Sequence, residues 1–579
     1  MSSSSSYTGS EYRIKLALAV FVIFAAVLIW RAMNLQLTNR EFLQEHGDAR
    51  YLRVVTTPAH RGMITDRNGE PLAISTPVQS VWGQPRIMAQ HRESWLRLAA
   101  LIDTTTDHLD ALILPRIGRE FVYLKRHASR QMVVELKQAK LPGVGLLEEQ
   151  RRYYPAGEVT AHTLGFTNVD DAGQEGIELA FNSTLRGKKG SLKVIKDRLG
   201  RTIEHVEQIK AAQSGQDLKL SIDKRIQYIA YRELKAAVQA HDAEAGSMVI
   251  VNPNTGEVLA LVNQPSFNPN NRGDLKGEHY RNRAVTDIFE PGSTVKPITI
   301  AAALEAGRYA HDTTVSTGPG YFKVGRHVVS DLKNFGKVDV TGVLTKSSNV
   351  GASKIALSLE PDLMWSIFNG VGFGMSSEVG LPGESIGHLS DPGNWRDIER
   401  ATMAFGYGLS VNAMQLARAY SVLAADGIRR PLSITELKTP LPIQRVLSVE
   451  TARTVRQMLT RVVTEGTGRA AAVSGYHVAG KTGTVHKSTT RGYAEDRYLS
   501  LFAGMLPAAR PELVAVVVID EPKSGEHYGG RVAAPIFARV MHEAARILGL
   551  TPEIQLDVNN DRYRLTAGVN SDQMAGVKP

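Results

Sequence analysis

From Leu16 to Trp30 the chain runs LALAVFVIFAAVLIW, fifteen residues without a polar side chain. A bilayer span takes about 20 residues. That length is reached between Ile14 and Met33 when Lys15 and Arg31 snorkel and Trp30 lies in the interface. Apolar residues fill every face of the run, no packed domain precedes it, and RAMNLQLTNR holds no convincing small-x-small cleavage site. The pattern predicts an uncleaved membrane anchor over 14–33. Five serines at 2–6 belong to a polar tail, 1–13, and residues 34–50 form a juxtamembrane linker. Arg13 and Lys15 stand on one side of the span, Arg31 and Arg40 on the other. The charge rule leans towards a cytoplasmic N-terminus with the body outside.

Over 51–217 the pattern changes often, with short alternating runs and turns such as Arg67-Asn68-Gly69. A basic stretch holds Arg186, Lys188, Lys189, Lys193, Lys196, Arg198 and Arg201. It reads first as a solvated hairpin, with contact to a membrane or an anionic polymer as the other reading. No nucleophile is paired with a base in this part, which predicts a binding or spacer module. A second unit covers 218–550. Its opening LKLSID reads as a strand, and Asp223 caps a helix with apolar residues Ile226, Ile229, Leu234 and Val238 at helical spacing. Ser247–Val251 and Val258–Val262 flank a turn at 252–257, the pattern of a hairpin. Leu499–Gly504 and Leu513–Ile519 are strand-like, and Val532–Leu550 reads as a closing helix. Strands at both ends with helices between predict one α/β sheet domain. Residues 551–579 are polar and read as a flexible tail.

A chain of 579 residues is too long for one core. Against 58 acidic residues stand 68 Lys and Arg, a net +10. Spread over the whole chain, that excess suits an anionic surface or polymer and lacks the clustering that nucleic acid demands. The absence of cysteine removes disulfides, thiol nucleophiles and Cys-ligated zinc. Sixteen histidines occur without HExxH or comparable spacing, so neither a metal nor a cofactor is expected.

Three short motifs carry candidate chemistry. Ser293-Thr-Val-Lys296 follows the turn signal Pro291-Gly292 and runs into a helix ending at Gly307, with Pro297 tolerable in its first turn. Ser293 thus sits at a helix N-terminus with Lys296 one turn on. There the dipole favours an alkoxide and disfavours an ammonium, so a neutral lysine can take the hydroxyl proton. Two other SxxK matches, Ser221…Lys224 and Ser330…Lys333, lack this context. In Ser347-Ser348-Asn349 a hydroxyl can relay a proton and an amide can hold a carbonyl, although alone it is a polar turn. Lys481-Thr482-Gly483-Thr484, on a strand, suits a substrate carboxylate.

A rival reading uses the same lysine. Gly475 to Thr482 matches the phosphate-binding loop GxxxxGK[ST], and Leu513–Asp520 resembles the strand whose Asp holds magnesium. A phosphate loop opens a helix directly after its lysine, whereas Gly483–Gly492 is β- and turn-like. The anchor also places the body where nucleotide is scarce.

With SxxK, SxN and KTG in that order, the chain resembles the penicillin-recognising serine acyl-transferases. Arg61-Gly62-Met-Ile-Thr-Asp-Arg-Asn-Gly69, Gly173-Gln-Glu-Gly-Ile-Glu178 and Glu290–Pro297 look like class B penicillin-binding proteins. Phe405–Asn412 is most like their division-type, septal branch. The resemblance implies a transpeptidase domain with a central antiparallel sheet flanked by helices, an elongated non-catalytic pedestal and a single span in the inner membrane. It implies Ser293 as nucleophile towards D-Ala-D-Ala stem peptides, Lys296 as base, Ser347 as proton relay and Asn349 as a positioning group. It further implies electrostatic support from Lys481, carboxylate binding by Thr482 and Thr484 around Gly483, and an oxyanion hole from the N–H groups of Ser293 and Thr484. Implied partners are peptidoglycan, β-lactams, the membrane, a SEDS-type glycosyltransferase and other division proteins. A β-lactamase or a β-lactam sensor shares the motifs but needs no pedestal, and three intact motifs argue against a non-catalytic scaffold.

Overall fold

The computed structural model describes residues 8–38, 52–196, 202–273, 277–489 and 492–554. The serines at 2–6, Arg40 with most of the linker, Arg198, Arg201 and the tail from 555 onward lie outside the described residues. The described residues fall into two units, one drawn from 1–60 and 187–215, the other from 61–186 and 216–579.

In the first unit the apolar run forms the helix Thr8–Met33. A window over Tyr12–Gln36 is long and apolar enough to cross a membrane, and none of it is buried against protein. The basic stretch supplies the strand Gly190–Lys196, which pairs antiparallel with Leu52–Thr57 on one side and Thr202–Lys210 on the other. The expected hairpin is thus present, formed with Thr202–Lys210, and Leu52–Thr57 adds a third strand that makes Gly190–Lys196 the middle one.

The second unit contains a sheet built on Pro71–Gly83, which pairs with Val122–Ala128 and Val144–Tyr153. The short strand Ile64–Thr65 joins it, and Leu218–Lys219 lies parallel to that strand. Helices pack Trp95, Leu98, Leu109 and Ile113 against Val81 and Leu124 of this sheet. In the predicted turn, Asp66 Oδ1 accepts the N–H groups of Asn68 and Glu70, and Gly69 takes φ 86°. Within this part Glu178 is wholly buried, with Arg61 Nε and Arg152 Nε donating to its two carboxylate oxygens at 2.7 and 2.6 Å.

The larger sheet of this unit has five strands: β1 (Ala245–Val251), β2 (Val258–Gln264), β3 (Ala479–Thr489), β4 (Gly492–Leu506) and β5 (Leu513–Asp520). Their order is β2-β1-β5-β4-β3, every pair antiparallel. Alternation sorts the side chains: Met248, Ile250, Ala515, Val517 and Ile519 face one core, while Val249, Val251, Val514, Val516 and Val518 face another. The first core is closed by α1 (Lys224–Ala240) and α6 (Gly529–Leu548), the second by helices that include α2 (Lys296–Glu305), α4 (Ala413–Ala424) and α5 (Val449–Thr464). A sheet covered on both faces explains why β1 and β5 are apolar over most of their length, with Ser247 and the terminal Asp520 as the exceptions.

Several expected boundaries move. Asp223 does cap α1, accepting from Arg225 N, but only Leu218–Lys219 of LKLSID is strand. The deepest apolar residues of α1 are Ile226, Ala230, Leu234 and Ala237, with Ile229 and Val238 only partly buried. The closing helix begins at Gly529, because that position crosses β3 and β4 so closely that a Cβ there would stand 2.2 Å from Gly483 O.

Replacing Glu178 with alanine strands two buried guanidinium groups, and such breakage costs about 3–5 kcal/mol. Urea unfolding of the detergent-solubilised Glu178→Ala protein should show a loss on that scale. A loss under about 1 kcal/mol would remove the cluster from any stabilising role.

Candidate active site

The segment around Ser293 is a 3₁₀ turn, Gly292–Val295, that continues directly into α2, with Pro297 in the first helical turn. Gly292 has φ 54° and donates to Gly406 O at 3.1 Å; a Cβ on it would lie 2.4 Å from Val485 Cγ2 of β3. Only glycine fits there. Thr294 is held on both sides, its hydroxyl donating to Pro291 O at 2.6 Å and its carbonyl accepting from Tyr420 OH at 2.9 Å. The turn is therefore pinned to α4 and pressed against β3.

Ser347 is the meeting point. Its Oγ donates to Ser293 Oγ at 3.1 Å and accepts from Lys296 Nζ at 3.2 Å and Lys481 Nζ at 3.0 Å. Lys296 Nζ also donates to Ser347 O at 2.6 Å and Asn349 Oδ1 at 2.7 Å. The hydrogen-bond partner of Ser293 Oγ is thus Ser347. To reach this position Ser347 takes φ 57°, in the left-handed region that costs a non-glycine residue about 1–2 kcal/mol.

Ser348 and Asn349 open α3 (Asn349–Leu357), with Ser348 Oγ accepting from Gly351 N. Asp331 secures that end. Its carboxylate accepts from Ser348 Oγ at 2.6 Å, Asn349 N at 2.5 Å and Val350 N at 3.0 Å. Sequence reasoning missed Asp331, which sits two residues before the rejected Lys333 on a different segment. The Asn349 amide nitrogen donates to Ser330 O at 3.1 Å, so its oxygen is oriented towards Lys296.

Lys296 and Lys481 are both wholly buried. Burial lowers Lys481 to about 7. Burial together with the Lys481 charge pushes Lys296 well below the ordinary lysine range, against a pull upward from Asp331. Both lysines are thus pushed towards the neutral amine, Lys296 by the neighbouring charge as well as by burial.

Lys481, Thr482, Gly483 and Thr484 lie on β3, the edge strand next to the Ser293 turn. Thr482 Oγ1 shares a hydrogen bond of 2.8 Å with Thr467 Oγ1, and Thr484 Oγ1 accepts from Gly529 N at 3.0 Å, which leaves its proton to donate. A Cβ on Gly483 would stand 3.0 Å from Thr294 Cγ2, so the strand approaches the turn at a glycine. The N–H groups of Ser293 and Thr484 belong to these two adjoining segments.

The rival assignments find no such support. Ser221 is buried and spends its hydroxyl on Val258 O and Ser433 O, while Ser330 is exposed on a short strand. No helix opens after Lys481, which lies inside a strand, and Asp520 is paired with Lys487 Nζ at 2.9 Å. The phosphate-loop reading fails on that geometry.

Residues 246–542 match the family described as penicillin binding protein transpeptidase domain, and residues 56–220 match the penicillin-binding protein dimerisation domain. The peptidoglycan D,D-transpeptidase FtsI of Escherichia coli K12 is 41% identical over 564 residues, covering 96% of this chain and 95% of the relative. The apo transpeptidase domain of Burkholderia pseudomallei penicillin-binding protein 3 is 44% identical, covers 58% of this chain and 98% of its own, and superposes with a TM-score of 0.54. A peptidoglycan synthetase from Bifidobacterium adolescentis, 24% identical, shares the fold over 87% of this chain and 98% of its own, with a TM-score of 0.69. Both domain matches, the near full-length identity and the three motifs meeting at Ser347 place this chain in the penicillin-binding protein family, in its class B, division-type branch.

Proposed function

We propose that the protein is a peptidoglycan D,D-transpeptidase of septal cell-wall synthesis. The observation that carries this reading is the single oxygen, Ser347 Oγ, bonded at once to Ser293, Lys296 and Lys481. In the proposed reaction Ser293 Oγ attacks the carbonyl of the penultimate D-Ala of a stem peptide. Its proton passes to neutral Lys296, carried by Ser347 Oγ, which touches both. The carbonyl oxygen becomes an oxyanion facing the N–H groups of Ser293 and Thr484. Collapse breaks the peptide bond, a proton returns to the leaving nitrogen, and D-Ala departs. An amine of a neighbouring stem peptide then attacks the ester, forms the cross-link and regenerates Ser293. Asn349 positions the peptide, while Lys481 with Thr482 and Thr484 holds the terminal carboxylate beside Gly483. A β-lactam acylates the same serine and stays.

The organisation we propose is a cytoplasmic tail at 1–13, an inner-membrane span at 14–33, a linker at 34–50, a pedestal at 51–217, a periplasmic transpeptidase domain at 218–550 and a flexible tail at 551–579. A SEDS-type glycosyltransferase and other division proteins are its proposed membrane partners.

A fluorescent penicillin should label Ser293 alone. Ser293→Ala should abolish labelling with little change in unfolding midpoint, because a helix-start substitution costs about 1 kcal/mol. Label that survives in this variant, or maps to Ser221 or Ser330, overturns the assignment.

The acid limb of acylation should report Lys296, whose neutral form is the active one, so acylation rises as pH climbs through that limb. The Asp331 carboxylate favours the ammonium. Removing its charge in Asp331→Asn should move the limb to lower pH, alongside any loss of rate from a weakened α3 start. A limb that stays put or moves upward would rule out this electrostatic coupling.

Protease added to spheroplasts should digest the body of the full-length protein and leave the anchor. A body protected until the membrane is permeabilised would reverse the proposed orientation.

A further inference from the structure

A cavity of about 300 Å³ is lined by residues of Val122–Ala128, Val144–Tyr153, 167–171 and 269–272. Its lining includes His127, Gln150, Arg152 and Asp171. On these four residues His127 Nε2, Gln150 Oε1, Arg152 Nη2 and Asp171 Oδ1 are shielded from solvent and have no hydrogen-bond partner among the described residues. Each such group costs about 1–3 kcal/mol when left unpaired, and native proteins carry only a few per 100 residues. Four around one cavity are concentrated.

The polarity of the four is informative. Arg152 is 5% exposed; its Nε donates to Glu178 and its Nη1 to Ser75 Oγ at 3.2 Å, which leaves Nη2 as a spare cationic donor. Asp171 Oδ1 is a spare acceptor on a residue held at φ 61°, with Arg61 Nη1 bonded to its backbone oxygen rather than its carboxylate. His127 and the Gln150 amide accept or donate according to tautomer and flip. The fixed pair is thus one guanidinium donor and one carboxylate acceptor. Burial holds the Asp171 carboxyl up at about 6, while Arg61, Arg152 and Arg186 pull it down and Glu178 pushes it up. It is the carboxylate in this cluster that lacks a cation bonded to its oxygen.

The walls are tied together before any ligand arrives. Asn270 exchanges two hydrogen bonds with the backbone of Tyr154, at 3.0 and 2.9 Å, and its carbonyl accepts from Arg151 at 3.1 Å. Arg272 donates to Thr167 O at 3.1 Å and stacks over Phe166 at 4.2 Å. A pre-tied site loses less entropy on binding. The volume equals roughly ten waters and lies at the small end of ligand pockets, enough for one amino acid with a short side chain.

We propose that this cavity binds an α-amino-acid zwitterion, with its carboxylate on Arg152 and its ammonium on Asp171 and Gln150. Two sources share that chemistry: a free amino acid, and the amino-acid end of a diamino-acid side chain in a peptidoglycan peptide. The assignment does not depend on the transpeptidase reading, because Ser293, Lys296 and Lys481 lie outside the cavity.

Calorimetric titration of the full-length protein in detergent tests it, after benzylpenicillin has blocked the catalytic serine or, if no acylation occurs, on the unblocked protein. The probes are D-alanine, L-alanine, a purified muropeptide ending in a free diamino acid, and the same muropeptide amidated at that carboxylate. Binding of at least one zwitterionic probe is expected, with affinity falling at least tenfold in Gln150→Leu and in Asp171→Asn. Alanine binding identifies a free amino acid; binding of the free muropeptide but not its amidated form identifies the peptide end. Gln150→Leu replaces a spare polar atom with an apolar group, so its unfolding midpoint should hold or rise, separating lost binding from lost fold. No binding by any probe, or binding unchanged in both variants, overturns the proposal and leaves an ordinary hydrated pocket. Equal binding of the amidated muropeptide overturns it as well.

Discussion

Lys296 and Lys481 donate to the same oxygen, Ser347 Oγ, with both side chains closed off from water. Desolvating even one ammonium costs several kcal/mol. Two ammonium groups donating to one oxygen would in addition repel each other. The pair escapes that cost only if one amine is neutral, and the Lys481 charge pushes Lys296 in that direction. A neutral amine hydrogen-bonded through one hydroxyl to a serine at a helix start is the condition for proton removal near neutral pH. The chemistry proposed for this chain rests on holding Lys296 neutral beside a second buried lysine.

Keeping the three segments together requires contacts closer than side chains allow. Ser293 and Ser347 are 54 residues apart, Ser347 and Lys481 134. They meet because the Ser293 turn touches β3 at glycines: Gly292 against Val485, and Gly483 against Thr294. Behind β3, Gly529 lets α6 begin against the carbonyls of Gly483 and Leu501. A methyl at Gly529 would push apart backbones, and one at Gly292 would drive into the Val485 side chain, disturbing the separation that sets the distances between Ser293, Ser347 and Lys481. Asp331 performs the same service for α3 by holding its first amides, and with them the orientation of Asn349.

The pedestal part of the larger unit obeys a different constraint. Glu178 compensates two buried arginines, so Arg61, Arg152 and Glu178 stand or fall together. Arg152 gives Nε to Glu178 and Nη1 to Ser75, and the leftover Nη2 donor contributes to the polarity of the adjoining cavity. Structure and candidate binding capacity therefore share a residue.

Much of this was legible in one dimension, because the relevant signals are local. A helix start, a cap such as Asp223, an apolar run long enough for a bilayer, and strands buried on two faces depend on residues a few positions apart. The three motifs are local too, which is why Ser293, Lys296, Ser347, Asn349 and Lys481 were recognisable as candidates. What lay beyond the sequence depends on contacts between distant segments. The left-handed turn at Ser347, the role of Asp331, the start of α6 at Gly529 and the middle-strand position of Gly190–Lys196 each follow from a partner far along the chain. The candidate reacting groups were readable from residue type and spacing; which hydroxyl touches Ser293, and the downward push on both lysines, were decided only by the tertiary structure, because desolvation and like-charge repulsion exist only once the segments meet.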